Sequence, residues 1–297
     1  MKTAHANPLV SRFDYDFDLF KDVNIPSDIL RDSSAYVSAA RIYEYDRNVV
    51  DTYFLNRFGI DVSNVDITTI PNLPEYAEAF AMACGSDEHY VVIGRNLQSA
   101  FLSYDLLIHE FGHTVEFSEG RKNKKIDEYL KLNVLSEAIA HYYQIIYMLE
   151  NSTRHERLSM VATFTEAFIF YRSMQIMLQV APDARTLDHS VILHDLAFRD
   201  IYTAYAGTDI LINFFNRWVR KDFYDVFKEH HEKRLGVFLA FNIIKHNMDL
   251  NELLLSKYPQ GDVSMERIIE STNLDSRVLL NFKDMAATLT QFVNGTL

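Results

Sequence analysis

The sequence predicts an α+β fold, mostly α, with a small antiparallel sheet followed by a long helical body. Three observations carry that expectation. Nine Gly and six Pro in 297 residues leave few breakers, so long stretches are free to keep one periodicity. Strand-like patterning is confined to the region between residues 62 and 94. Beyond it, apolar residues recur at spacings of three and four almost to the end of the chain, the signature of helix faces. A short run of strands followed by a run of helices is the α+β pattern. The length suits a single domain over 1–297, divided into an N-terminal arm and helix (1–60), a small sheet (61–96) and a helical body (97–297).

Taken in order, the opening alternates aromatic and acidic residues from Phe13 to Asp18, an extended arm whose rings can dock on the body. Ser33 or Ser34 is placed to cap a helix running to about Phe58, with Gly59 as its stop. Val62 to Ile70 reads as a strand ending at Pro71. Tyr76 to Cys84 and His89 to Gly94 read as a hairpin around Gly85, Ser86, Asp87 and Glu88. Helices are expected over about Gln98 to Ser118, Ile126 to Glu150 and Arg154 to Val180, with three or four more to follow.

Composition narrows the function classes. A net charge of −12 and a pI near 5.3 argue against a nucleic-acid or anionic-membrane surface, because phosphate binding rests on basic patches. Arg121 to Lys125 is the one cationic cluster and reads as a solvated loop. Cys84 is the single cysteine, which excludes a disulfide framework and a Cys-rich metal knuckle. Neither a basic, apolar leader nor an apolar run approaching the ~20 residues of a membrane span is visible, so a cytoplasmic location is expected. A Gly-x-Ser-x-Gly elbow, a Gly-rich phosphate loop and a Cys/His pair near a helix start are also missing. His155 and the pair His230 and His231 sit among charged neighbours and read as solvated helix faces.

The chemistry concentrates at His109-Glu110-Phe111-Gly112-His113. At ~100° per residue, histidines four apart lie on one helix face and can close on one Zn²⁺, with the intervening Glu beside the metal as general base. Core histidines satisfied by hydrogen bonds are the bland alternative. Gly112 costs a helix about 1 kcal/mol relative to Ala, so close approach of another helix is expected there.

A catalytic zinc wants a third protein ligand and an open position for water. The metzincin pattern would need Gly where Glu116 stands and His where Glu119 stands, so that class is excluded. Glu137, 24 positions after His113, lies in a segment apolar nearly all round, on the stripe Leu130, Val134, Glu137, His141, Ile145. An ionised carboxylate buried there costs several kcal/mol unless it is paired or binds a cation. Ligation by Glu137, with His141 as its outer partner, is the expected arrangement. A Glu137–His141 hydrogen bond or an Arg partner is the alternative.

With these residues the chain resembles a gluzincin, and within that group it is similar to the thimet oligopeptidase / oligoendopeptidase F family. His-Glu-Phe-Gly-His is that family's wording of the motif, and its third ligand is a Glu about two dozen residues on, as Glu137 is. The segment Phe198 to Gly207, followed by Phe214 to Trp218, is similar to the family's C-terminal tyrosine segment. The resemblance implies a zincin-like catalytic domain binding one Zn²⁺ per chain. It further implies that Tyr202, Tyr205 and His194 hydrogen-bond the tetrahedral intermediate of peptide hydrolysis. The tyrosine spacing departs from the family's by a residue. The chain also lacks most of the N-terminal lobe of larger members, so a restriction to short peptides is not carried over.

The function these readings imply is a zinc metallopeptidase. His109, His113 and Glu137 hold the metal, Glu110 serves as general base, and a peptide or protein is the substrate. Two other classes stay open: a regulatory protease dedicated to one protein target, and a non-enzymatic binding protein stabilised by zinc.

Overall fold

The computed structural model describes residues 23, 25–36, 41–42, 44–71, 79–84, 88–95, 102–122, 133–161, 164, 223–254 and 272–297. Helix α1 spans Ser27–Tyr36, strand β1 Arg41–Ile42 and helix α2 Arg47–Phe58. The single helix expected to run from Ser33 or Ser34 to Phe58 is therefore two, with Ser33 buried inside the first. The physical reason is a cap. Asp46 adopts an extended conformation and its side chain accepts the amide of Asn48, which starts a new helix where the sequence reading ran through. The expected stop holds, because Gly59 takes φ 69° and its amide returns to Leu55, a left-handed cap that suits glycine.

Strands β2 (Val65–Pro71), β3 (Ala79–Cys84) and β4 (Glu88–Arg95) form one sheet in the order β2-β4-β3. β3 and β4 make the expected antiparallel pair, with Cys84 opposite Glu88 and Ala79 opposite Ile93; residues 85–87 lie outside the described residues. β2 departs from expectation. It runs parallel to β4, Val65 opposite His89 and Pro71 opposite Arg95, so the sheet is mixed and not wholly antiparallel. As the central strand, β4 buries Val91, Val92 and Ile93 in succession, the continuous apolar run of a strand covered on both faces. Edge strand β3 alternates half-buried alanines with the exposed Phe80 and Met82.

β5 (Leu102–Ser103) bridges back to β1 and leads directly into α3, Tyr104–Lys122. The motif helix thus begins at Tyr104, later than expected, because residues 102 and 103 are held extended by Ile42 and Arg41. α4 spans Asn133–Asn151, and helical residues 154–161 follow. α5 spans Phe223–Lys245, followed by α6 (Asn251–Leu254), α7 (Ser276–Leu279) and α8 (Met285–Asn294). The opening arm, residues 165–222 and residues 255–271 lie outside the described residues. His155 is exposed, as expected, whereas only the backbone is described at His230 and His231.

Three helices organise the core, with α4 in the middle, packed on α3 at one side and α5 at the other. Glycines set both separations. A Cβ on Gly112 would stand 2.8 Å from the Ala140 Cα, which answers why the motif helix accepts a glycine. A Cβ on Gly236 would stand 2.5 Å from the Glu137 Cβ. Phe54, Phe58, Phe111 and Tyr143 interlock between α2, α3 and α4, and Arg47 ties this corner to the sheet. Its guanidinium donates to the carbonyls of Val62 and Val65 at 2.6 and 2.5 Å and lies 4.9 Å over the Phe111 ring. β3 packs against α3, which brings beside the motif helix a sheet edge that is unpaired among the described residues.

Candidate metal centre

α3 carries His109, Glu110 and His113, and α4 carries Glu137 and His141. Their helical periods turn the three imidazoles and the Glu137 carboxylate into one space between the two helices. His109 Nε2 lies 3.4 Å from Glu137 Oε2, His113 Nε2 4.0 Å and His141 Nε2 3.9 Å. His109, His113 and Glu137 each offer a ligand atom within 4.8 Å of the others, a group that could hold a metal ion. Ligands of one tetrahedral zinc stand roughly 3.3 Å apart, so the widest pair in the set needs to close by up to about 1.5 Å. The three residues expected as ligands are thus brought together across two helices.

Hydrogen bonding fixes which ring nitrogens face this space. Ser136 donates its hydroxyl proton to the Glu116 carboxylate, so its oxygen accepts from His113 Nδ1, 2.9 Å away. Likewise Gln144 donates its amide to Asp105 Oδ2 at 2.8 Å, which leaves its carbonyl to accept from His141 Nδ1 at 2.9 Å. With Nδ1 carrying the proton in each ring, the Nε2 lone pairs of neutral His113 and His141 point toward a carboxylate. Two imidazole lone pairs facing a carboxylate repel it, and a cation between them removes that cost. Among the described residues, the buried Nδ1 of His109 has no hydrogen-bond partner. His141 is therefore held by Gln144, which Asp105 anchors in turn, and in place of the alternative Glu137–His141 hydrogen bond an imidazole lone pair faces the carboxylate at 3.9 Å.

The electrostatics agree with the geometry. Burial by itself raises the Glu137 carboxyl, but the His109 contact and the facing imidazoles overcome it and hold the group down at about 2. Burial by itself lowers the His113 imidazole, but Glu116, Glu137 and Glu110 outweigh it and hold the ring up at about 9. Glu116 Oε2 stands 3.8 Å from the ring nitrogen, too far for a hydrogen bond, so it acts through Ser136 and through its charge. Burial and the neighbouring His109 push His141 down to about 3. The centre attracts positive charge, and without a metal a proton on His113 serves in that role.

The sequence reading did not single out Ser136, Gln144, Asp105 or Gly236, and it considered Glu116 only as a departure from the metzincin pattern. A glycine amid strong helix formers was a readable signal at Gly236, but the four polar residues carried none. Tyr202, Tyr205 and His194, expected opposite the metal, lie outside the described residues. No family model, curated protein or solved structure matches the chain. Among the described residues, no helix is long and apolar enough to cross a membrane.

Proposed function

We propose that the protein is a zinc-dependent metallopeptidase. The observation that carries this reading is the convergence of His109, His113 and Glu137 within 4.8 Å, with Glu110 on the same helix as both histidines. Bound there, zinc would supply Lewis acidity to a scissile carbonyl and make an attacking water acidic near neutral pH. Glu110 is the residue to accept that water's proton and return it to the leaving amine. The Glu137 carboxylate would offset part of the metal's charge, the two imidazoles would add neutral donors, and the hydrogen-bonded Nδ1 of His113 fixes its ring. β3 is suited to align an extended peptide. Among the described residues it pairs only with β4, so its other edge offers backbone groups at the spacing a peptide strand needs.

His141 supports a second reading. Its Nε2 lies 3.9 Å from Glu137, and recruitment as a fourth ligand would close the site, as in structural zinc centres. The protein would then be a zinc-stabilised binding protein. Zinc content and hydrolysis of a peptide library, measured for the wild type and Glu110→Gln side by side, separate the two. About one zinc per chain with hydrolysis that Glu110→Gln abolishes supports the peptidase. Stoichiometric zinc with no hydrolysis under any condition supports the binding protein, and no zinc at all overturns both.

A further inference from the structure

We propose that Ser136 is a positioning residue for the metal centre, setting His113 with its proton on Nδ1 and its Nε2 lone pair turned to Glu137. The inference rests on the metal reading above and adds residues to it. Ser136 stands on α4 immediately before Glu137, while its two partners, His113 and Glu116, stand one turn apart on α3. One hydroxyl therefore fastens a ligand-bearing ring on one helix to the segment that carries the third ligand on the other.

A hydroxyl has a single proton. Because Ser136 gives it to Glu116, the bond to His113 Nδ1 at 2.9 Å has only one possible sense, with the imidazole donating. Glu116 is fully buried and Ser136 nearly so, at 0% and 9% exposure, so water does not compete for either partner. A serine that merely satisfied a buried carboxylate would leave the ring's orientation to chance. The neighbouring ring argues against that: Asp105 and Gln144 impose the same proton placement on His141 by an independent chain. Two separate relays, each anchored on a buried carboxylate, turn two Nε2 lone pairs toward Glu137. Outer partners of this kind orient the ring and raise its basicity as a ligand.

The test uses full-length protein. Zinc dissociation constants are measured by chelator competition for the wild type, Ser136→Ala, Ser136→Thr and Glu116→Gln. Long-range ¹H–¹⁵N correlations of the zinc-loaded, ¹⁵N-histidine-labelled protein report which nitrogen of His113 bears the proton. Ser136→Ala should weaken zinc by roughly 10- to 100-fold, the range for losing such a partner, and lose the exchange-protected Nδ1 proton signal. Ser136→Thr keeps the hydroxyl and should restore most of both. Glu116→Gln leaves α4 untouched and still accepts the serine proton without charge, so it should weaken zinc by a smaller factor. Its affinity remains readable if Ser136→Ala fails to fold. Wild-type zinc binding with unchanged affinity in Ser136→Ala and Glu116→Gln overturns the proposal, as does a His113 proton on Nε2. A wild type that takes up no zinc overturns the metal reading itself.

Discussion

At His113, burial and charge pull in opposite directions and charge wins, which gives the centre a definite pH behaviour. In the metal-free protein the imidazole is raised from 6.5 to about 9. Its contribution to stability is fully present below pH 6.5 and is lost as the pH rises through 9. Glu137 is lowered from 4.5 to about 2, so its contribution is present above pH 4.5 and is lost as the pH falls through 2. A metal must displace the His113 proton. Zinc affinity should therefore rise about tenfold per pH unit toward pH 9 and then level off, with His113 releasing a proton on binding. Calorimetry in buffers of differing ionisation enthalpy checks this, and pH-independent affinity between 6 and 8 would contradict it. Two substitutions separate ligand from base. His113→Ala should lose the metal. Glu110→Gln should keep metal and fold while hydrolysis falls by ~10²-fold or more, the scale of losing a general base, as metal analysis beside a peptide assay would reveal.

At the scale of elements, the two helix contacts of α4 both reverse the usual rule that Ala stabilises a helix over Gly by about 1 kcal/mol. A Cβ on Gly236 would lie 2.5 Å from the Glu137 Cβ and 2.8 Å from the Ala138 amide. Backbone at that distance cannot yield cheaply. Gly236→Ala should therefore destabilise the fold, by ~1–3 kcal/mol as overpacking does, and it should weaken zinc because the atom it displaces belongs to Glu137. Gly112→Ala meets Ala140 and the Tyr143 ring instead. It should cost comparable stability with a smaller loss of zinc affinity. Thermal melts paired with zinc titrations resolve the difference, and equal zinc affinity in both variants would show that α5 does not position Glu137. Gly112 could be read from sequence as a place of close approach because it interrupts an otherwise regular helix. Its partner could not, since nothing local says that Ala140 lies beneath it.

On the scale of the molecule, α5 and the C-terminal segment brace the centre from behind. Asn242 on α5 donates to the carbonyls of Leu279 and Asn281 at 2.8 and 3.0 Å, and Phe238 packs on Phe282. Arg157 donates to Val293 and Met148, joining α8 to the end of α4. Arg157→Ala would strip buried carbonyls of their donor, at ~1–3 kcal/mol for each one left unsatisfied. It should lower the melting temperature without changing zinc affinity, because its hydrogen-bond partners Val293, Met148 and Ser152 are not among the proposed ligands. Zinc itself should stabilise the whole, by about 2.7 kcal/mol at a hundredfold excess over its dissociation constant. Differential scanning with zinc and with a chelator measures that linkage, and superimposable melts would exclude tight binding to the native state.

What the sequence alone determined is whatever depends on local period and local burial. The motif helix places His109 and His113 on one face by its pitch, and Glu137 stands out as a charge within the mostly apolar stretch from Val134 to Ala140. The β3–β4 hairpin and the Gly59 stop are local in the same sense. Tertiary structure decided the rest. Ser136 and Glu116 are 20 positions apart, and Gln144 and Asp105 are 39. They are ordinary polar residues until α3 and α4 dock, and only then does one hydroxyl choose the nitrogen that His113 offers. The parallel pairing of β2 with β4 and the approach of Gly236 to Glu137 likewise arise from contacts between distant segments, which no local pattern encodes. A helix dictates which side chains share a face, but the proton on a ring nitrogen is set by whatever atom comes to lie against it.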